Sequence, residues 1–92
     1  MKVEKAKSFL RSLSRCTDDE LKSVAESMRS TAETFGRPHL HTGVDIRRLG
    51  RNLFECRTGI DLRLLFKSGP DVIVFVFAGN HDDVRAYLRN TK

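Results

Sequence analysis

Two segments in the N-terminal third of the chain place apolar residues three and four positions apart, which is the spacing of an α-helix with one buried face. The first stripe consists of Val3, Ala6, Phe9, Leu10 and Leu13. The second, longer stripe consists of Leu21, Val24, Ala25, Met28, Ala32 and Phe35. The pattern therefore predicts two helices, each of which must bury one face against another element.

The second helix carries sequence signals for both of its ends. Glu20 lies three positions after Thr17, so the two side chains can satisfy the first free amides of the helix reciprocally. Gly36 and Pro38 are expected to end the helix, because glycine accepts a left-handed cap and proline cannot continue the helical hydrogen bonding.

After this helix the apolar spacing changes to an alternation of two, which is typical of β-strands. Segment 52–58 places Phe54 and Cys56 on one face. The opposite face of that segment carries Leu53, Glu55 and Arg57. This alternation predicts a strand with one apolar and one charged face.

The next two segments also read as strands. One face of the second strand is formed by Leu62, Leu64 and Phe66, and the other by Arg63, Leu65 and Lys67. Segment 72–78 is apolar on both faces, so it is expected to be the most deeply buried strand. Tight turns are expected at 59–61 and 68–71, which makes a three-stranded antiparallel meander.

The C-terminal segment predicts a last short helix, with Val84, Tyr87 and Leu88 facing inward and Asn80 as its N-cap. Residues 44–47 allow one further short strand.

Ninety-two residues suffice for one small domain, which we take to span 1–92. The expected fold is α+β, with two N-terminal helices packed on one face of a small antiparallel sheet of three to four strands, and a short C-terminal helix. The helices are expected on the apolar sheet face of Phe54 and Cys56, because no other large apolar surface is available to them. The opposite sheet face is therefore expected to stay more open.

The charge of the chain narrows the choice of partners. It has 17 basic and 12 acidic residues, a net charge of +5. Most of the surplus lies in residues 37–92, which hold ten basic and six acidic side chains, a net +4. A basic face favours an anionic partner, with nucleic acid first and an acidic protein segment second. A solvated basic surface is the alternative at this point.

Several classes of protein are not expected. The longest apolar run, residues 72–78, has seven residues, against about 20 needed to span a bilayer. The first residues contain neither the apolar core nor the cleavage site of a secretory signal. Cys16 and Cys56 are 40 residues apart and lack metal-binding spacing, so they are expected to be buried thiols of a cytoplasmic protein.

Two arginines give the first indication of a site. If the first two strands of the meander pair, Arg57 and Arg63 become cross-strand neighbours on the open face, which also carries Lys67. Two adjacent guanidiniums repel each other unless something negative lies between them, so the pair predicts an anion site. The alternative is that the two arginines pair with Glu55 and Asp61 as ordinary surface residues.

The order of these elements, together with one stretch of sequence, resembles the RelE/ParE superfamily of toxins from bacterial and archaeal toxin–antitoxin pairs. That stretch comprises Leu49, Leu53-Phe54-Glu55-Cys56-Arg57, Leu62-Arg63-Leu64-Leu65-Phe66 and the apolar strand of seven residues. The similarity covers roughly residues 17–88. It implies a toxin with a cognate antitoxin, and the branches of the superfamily include both mRNA interferases and inhibitors of DNA gyrase.

The chain departs from this superfamily at its N-terminus. Members usually begin with a β-strand, whereas here only residues 1–3 precede the first helical pattern. The strand is therefore expected to be missing, very short or supplied elsewhere. An uncovered sheet edge would follow, and it would favour a homodimer.

The end of the last strand resembles one branch in particular. Gly79-Asn80-His81-Asp82-Asp83 is similar to the Gly-Thr-His-Ser-Asp ending of YafQ-like mRNA interferases, in which the histidine is a catalytic acid or base. By that match, His81 is expected to be catalytic. The RelE branch tends to end in a lysine or arginine cluster with a tyrosine, which this chain lacks at the same point.

These residue types suit RNA cleavage without a metal or other cofactor. His81 is expected to transfer protons, and Arg57 and Arg63 to hold the scissile phosphate with their planar guanidiniums. Lys67 is expected to assist, and the flanking RNA backbone is expected to contact Arg47, Arg48 and Arg51.

The resemblance thus implies a toxin-type endoribonuclease that acts on mRNA, free or ribosome-bound, and is neutralised by an acidic antitoxin. The alternatives are a gyrase inhibitor without chemistry and a non-catalytic RNA-binding relative of the fold, for which His81 would simply occupy the first turn of the last helix. His39 and His41 could begin a metal site, but no further ligand has suitable spacing, so no metal is expected.

Overall fold

The computed structural model describes residues 2–35, 46–59 and 61–90. In chain order the elements are β1 (Lys2–Lys5), α1 (Lys7–Leu13), α2 (Asp18–Thr34), β2 (Ile46–Arg48), β3 (Leu53–Thr58), β4 (Leu62–Gly69), β5 (Val72–Gly79) and α3 (His81–Asn90). The predicted helix stop at Gly36 and Pro38, the first half of the 44–47 segment, and both His39 and His41 lie outside the described residues.

The described strands form one sheet in the order β1-β5-β4-β3-β2. The pairs β2–β3, β3–β4 and β4–β5 are antiparallel, and β1 runs parallel to β5. The α+β class, the meander and the short C-terminal helix are thus confirmed. The sheet has five strands where three to four were expected, and it is mixed because of β1.

Of the three alternatives for the N-terminal strand, a very short strand is the one present, and the assignment of Val3 to a helix was wrong. Residues 2–5 form a strand, with Lys2 opposite Val72 and Lys5 opposite Phe75, and the first helix begins only after Ala6. The reason is tertiary: β5 is buried, and the backbone amides and carbonyls along its free edge need partners. Val3 and Leu10, assigned to a buried helical stripe, are therefore 38% and 52% exposed.

The main core lies between the sheet and the helices α1 and α2. Its central side chains are Phe9, Val24, Cys56, Leu62, Leu64, Phe66, Ile73, Phe75 and Ala78. Phe66 contacts three aromatic side chains. Its ring centroid lies 5.3, 5.4 and 5.6 Å from those of Phe35, Phe54 and Phe75. This is the sheet face to which the alternation of β3 and β4 had assigned the two helices.

The opposite sheet face has a core of its own, because α3 packs on it. Leu65, Val76 and Val84 are its buried centre, and Tyr87 and Leu88 pack against them as predicted. This face is therefore more covered than expected. Its open part is reduced to the region where β2, β3 and β4 carry charged side chains.

The strand β5 is apolar on both faces because each face lies against a core, and a β-bulge decides which of its side chains enter which core. Leu65 pairs with Phe77 and Phe66 pairs with Phe75, so Val76 is the extra residue. The bulge lets Phe75 point into the main core while Val76 and Phe77 both serve the second core.

The two predicted N-terminal helix caps are present. The Thr17 hydroxyl accepts from the Glu20 amide at 3.1 Å, and the Glu20 carboxylate accepts from the Thr17 amide at 2.8 Å. Asn80 caps α3 through its side-chain oxygen, which accepts from the Asp83 amide at 2.8 Å. No helix within the described residues is long and apolar enough to cross a membrane.

Candidate anion-binding site

The open part of the second sheet face brings the two predicted arginines together. Arg57 on β3 and Arg63 on β4 are direct partners in the antiparallel pairing, as expected. Arg57 is exposed and Arg63 is half-buried. Two guanidiniums directly opposite each other on a sheet are destabilising unless negative charge compensates them.

Glu55 supplies that negative charge. It lies two residues before Arg57 on the same face of β3 and is only 4% exposed. One carboxylate oxygen accepts from Arg63 Nη1 at 2.8 Å, and the other accepts from Arg47 Nη2 at 3.0 Å. The pairing with Arg63 agrees with the alternative reading of the sequence, except that this carboxylate is buried and bridges two strands.

The position of Arg47 follows from the register of β2. Arg47 is the direct partner of Glu55 across the β2–β3 pair, so the two side chains point to the same face. Glu55 in the middle strand therefore holds one arginine from each neighbouring strand. The sequence predicted Arg47 only as a distant backbone contact, and nothing local in the sequence indicates this register.

Among the described residues, a concavity of about 220 Å³ is lined by Arg47, Glu55, Arg57 and Arg63. Three positive groups and one negative group leave it a formal charge of +2. A cleft whose net charge is positive and whose walls are protein concentrates the electric field and attracts anions. This concavity is therefore a candidate site for a phosphate or a similar anion.

Three other predicted contact residues lie outside this concavity. Arg48 pairs with Phe54, whose side chain belongs to the main core, so the alternation places Arg48 on the opposite face from Arg47. Its guanidinium donates to the carbonyls of Gly50 at 2.9 Å and Arg51 at 3.0 Å. Arg51 itself is exposed in the same loop.

Lys67 shares its sheet face with Arg63 but lies four residues further along β4, a separation of about 13 Å at the usual rise of a strand. Leu65, which is fully buried, lies between them. Lys67 therefore extends the basic surface at its far end and does not line the concavity.

His81 is the first residue of α3 and is exposed. Gly79, two positions before it, is the direct partner of Arg63 on β4. The chain thus places His81 just after the end of β5, whose last residue pairs with Arg63, although His81 is not among the described residues that line the concavity.

Gly79 allows this close junction because there is no room for a side chain. A Cβ at this position would lie 2.7 Å from the Cβ of Asp83 and 2.9 Å from Cε2 of Phe77. Asp83 also accepts from the Asn80 amide at 3.2 Å, so the first turn of α3 is fixed directly against the end of β5.

A second and larger cavity, of about 340 Å³, lies between α1, the end of β5 and the start of α3. Its lining residues include Arg11, Arg15, Cys16, Glu20 and Tyr87. Burial, with a smaller contribution from the charge of Glu20, raises the pKa of the Cys16 thiol above its ordinary value. The thiol is therefore protonated at neutral pH and is a poor nucleophile.

The two cysteines differ in burial. Cys56 is 1% exposed and its sulfur accepts from the Thr31 hydroxyl at 3.5 Å, whereas Cys16 is only half-buried. No group of three or more His, Cys, Asp or Glu side chains in the described part of the chain is arranged to hold a metal ion.

No protein-family model and no curated protein matches the sequence. Solved structures do match over almost the whole chain, and they show that the fold is that of the RelE-like toxins, as the sequence resemblance implied.

Three of these structures illustrate the likeness. A chain of the RelB–RelE antitoxin–toxin complex from Methanococcus jannaschii superposes with a TM-score of 0.73 at 17% identity, over 91% of this chain and 96% of that one. The toxin–antitoxin complex RelBE2 from Mycobacterium tuberculosis gives 0.69 at 19% identity, over 87% and 96%. YafQ from Escherichia coli gives 0.66 at 12% identity, over 90% and 96%.

Proposed function

We propose that this protein is the toxin of a type II toxin–antitoxin pair and acts as a RelE-like endoribonuclease that cleaves mRNA without a metal ion. The observation that carries the proposal is the cluster of Arg47, Arg57 and Arg63 around one buried carboxylate. The likeness of the fold to solved RelE and YafQ structures supports it.

The chemistry needs few groups. The 2′-hydroxyl oxygen of one nucleotide attacks the adjacent phosphorus, and its proton passes to a base. The bond to the 5′-oxygen then breaks, that oxygen takes a proton from an acid, and a 2′,3′-cyclic phosphate remains. Arg57 and Arg63 are proposed to hold the phosphate, since guanidiniums stabilise the negative charge that grows on its free oxygens in the transition state.

His81 is proposed as the proton-transfer residue. Histidine is the side chain best suited to proton transfer, because an imidazole ring carries one nitrogen that accepts and one that donates a proton. It follows the strand end at Gly79, the neighbour of Arg63, so a nucleotide held by the arginines would extend towards the first turn of α3.

The flanking RNA is proposed to follow the exposed basic side chains. Arg51 and Lys67 contact the backbone on one side of the concavity in this proposal, because Leu53, two residues after Arg51, is the strand partner of Lys67. Arg48 bonds to two loop carbonyls, so its proposed contribution is to hold the loop that presents Arg51.

The proposed partner is a cognate antitoxin with an acidic binding segment, and the proposed location is the cytoplasm. The net charge of +5 favours such a segment. The presence of RelB–RelE complexes among the similar structures supports a partner of this class.

The test combines growth and RNA cleavage. Induced expression of the wild-type protein is expected to arrest bacterial growth, and the purified protein is expected to cleave mRNA in EDTA. His81→Ala is expected to abolish both without changing the folded circular dichroism spectrum. Arg89→Met, which removes an exposed charge from the end of the same helix, serves as the matched control and is expected to retain both.

Three results would each overturn the proposal or one of its parts. Full toxicity of the folded His81→Ala variant would remove this residue from the mechanism. Growth arrest without RNA cleavage, accompanied by loss of DNA supercoiling, would favour inhibition of gyrase. High-level expression of the wild-type protein without any effect on growth would favour the non-catalytic RNA-binding relative.

A further inference from the structure

Glu55 is a buried charge to which the chemistry above assigns no step. Its side chain is only 5% exposed, whereas that of Arg63 is 18% and that of Arg47 is 69% exposed. A buried carboxylate is costly to desolvate, and replacing a buried ion pair with apolar groups is often neutral or even stabilising. A contribution to stability alone is therefore a weak explanation for a carboxylate at position 55.

The geometry suggests a different role, because each guanidinium is held by a single amino group. Glu55 accepts from Nη1 of Arg63 and from Nη2 of Arg47, one bond to each. A guanidinium has five N–H donors in a fixed plane. Fixing one amino group by a buried acceptor orients that plane and leaves further donors for an anion in the concavity.

The position of Glu55 in the sheet reinforces this reading. Glu55 lies on β3, between Arg47 on the edge strand β2 and Arg63 on β4. The strand β2 has only three residues, so the bond from Arg47 also ties the end strand to the site. A long, exposed arginine such as Arg47 otherwise samples many rotamers, and ordering it on binding costs entropy.

We propose that Glu55 is a positioning residue: it sets the orientation of Arg63 and Arg47 before RNA arrives, so that their remaining donors face a phosphodiester in the concavity. This inference rests on the proposed function for its substrate. The orientation of the guanidiniums is nevertheless a property of the protein alone, and it can be measured without RNA.

A positioning role predicts that replacing Glu55 affects RNA cleavage and RNA binding differently. Glu55→Gln removes one negative charge, which raises the formal charge of the cluster from +2 to +3. Binding of a 2′-O-methyl RNA oligonucleotide, which cannot be cleaved because it lacks the attacking hydroxyl, is expected to be unchanged or tighter. Cleavage of the unmodified RNA is expected to fall by about 10- to 100-fold in kcat, because misplacing a group by about 1 Å costs that much.

The first measurement is the NMR spectrum of the arginine Nη–H groups, through which Glu55 holds Arg63 and Arg47, in the complete chain without RNA. In the wild-type protein the signals of Arg63 and Arg47 are expected to be dispersed and protected from exchange with water. In Glu55→Gln they are expected to move to the position of solvated arginines. Glu26→Gln, which removes an exposed charge from α2 on the other side of the sheet, is the matched control and is expected to leave them unchanged.

Net charge and orientation are separated by a second variant, Glu55→Gln combined with Arg47→Gln, which keeps the cluster at +2. If Glu55 acts by orientation, this variant cleaves more slowly than Arg47→Gln alone, because Arg63 has then lost the acceptor that orients it. If its kcat is that of the wild-type protein, only net charge matters and the inference is wrong. Should Glu55→Gln fail to fold, Glu55→Asp keeps the charge but shortens the reach, and is expected to bind RNA normally with reduced kcat.

The outcomes distinguish this inference from the proposed function. Loss of the ordered Arg63 signal in Glu55→Gln supports positioning even if the wild-type protein cleaves no RNA, in which case the proposed function alone fails. An unchanged Arg63 signal, or a parallel fall in binding and kcat at unchanged fold, overturns the positioning role whether or not RNA is cleaved.

Discussion

Arg63 has two charged neighbours that act in opposite directions. Arg57 lies directly opposite Arg63 across the β3–β4 pair. Glu55 lies two residues before Arg57 on β3 and forms a salt bridge with Arg63. The repulsion between the arginines is thus offset inside the protein, while the cluster as a whole keeps a positive charge for an external anion. The charges of these individual side chains therefore determine which ligands the site can bind.

Replacement of Arg63 is expected to damage function more than folding. Arg63→Met removes a proposed phosphate contact, and loss of one such donor typically lowers kcat by about 10²- to 10³-fold. Glu55 keeps its bond to Arg47, so the free energy of unfolding is expected to fall by only about 1–3 kcal/mol. RNA cleavage assays and urea denaturation measure the two effects. Arg29→Met, on the exposed side of α2, is the control, and an equal loss of cleavage there would contradict the prediction.

Gly79 offers a second prediction about a single residue. In Gly79→Ala the new methyl group would lie within 3 Å of both Asp83 and Phe77, so the start of α3 must shift. Overpacking of this kind is expected to lower the free energy of unfolding by about 1–3 kcal/mol. Gly50→Ala is the matched control, because its new Cβ would lie 3.8 Å from the Cβ of Leu53, an ordinary contact. Equal destabilisation of both variants in denaturation would contradict the prediction.

At the scale of elements, α1 completes the edge of β5 where β1 ends. The last β1 partner is Lys5, opposite Phe75. Beyond it the Ser8 hydroxyl donates to the Val76 carbonyl at 2.6 Å, and the Ala78 amide donates to the Ser12 hydroxyl oxygen at 3.0 Å. Two serine side chains of a helix thus substitute for the backbone of a longer strand.

This substitution predicts that Ser12 matters for stability. Ser12→Ala would leave the buried Ala78 amide without its acceptor, which is expected to cost about 1–3 kcal/mol. Ser14→Ala is the control, since its exposed hydroxyl donates only to the carbonyl of Arg11, and a change of less than about 0.5 kcal/mol is expected. Urea denaturation of the two variants measures the difference, and equal midpoints would refute the role of α1.

Elements whose causes are local were predicted well. The capping box at Thr17 fixed the start of α2, and the alternation of 52–58 assigned Phe54 and Arg57 to the correct faces. The strand β1 was missed because Val3, Ala6 and Phe9 share the spacing of a helix, and only β5 gives residues 2–5 a reason to be extended. The spacing of apolar residues within a segment contains no information about a partner strand about 70 residues away.

At the scale of the whole molecule, two cores divide the sheet surface. The helices α1 and α2 cover one face, and α3 covers part of the other, so the exposed sheet surface that remains is largely basic. The molecule has a net charge of +5, and this arrangement concentrates positive charge at one site that can attract an anion.

Salt dependence tests this arrangement. If the net charge of +2 in the concavity neutralises the equivalent of two phosphates of single-stranded RNA, the logarithm of the binding constant should fall against the logarithm of salt concentration with a slope of about −1.4. Arg57→Gln is expected to reduce the steepness by about 0.7. Fluorescence anisotropy over a salt series measures both slopes. A slope near zero, or one that Arg57→Gln leaves unchanged, would exclude this concavity as the RNA site.

The sequence by itself determined the properties that depend on neighbours along the chain: the amphipathic faces, the helix caps, the antiparallel meander and the surplus of basic residues. The tertiary structure decided that residues 2–5 are a strand, that α3 covers part of the face expected to be open, and that Glu55 joins Arg47 to Arg63. These features depend on which strands meet and in what register, and a shift of one residue between β2 and β3 would place Arg47 on the other face of the sheet.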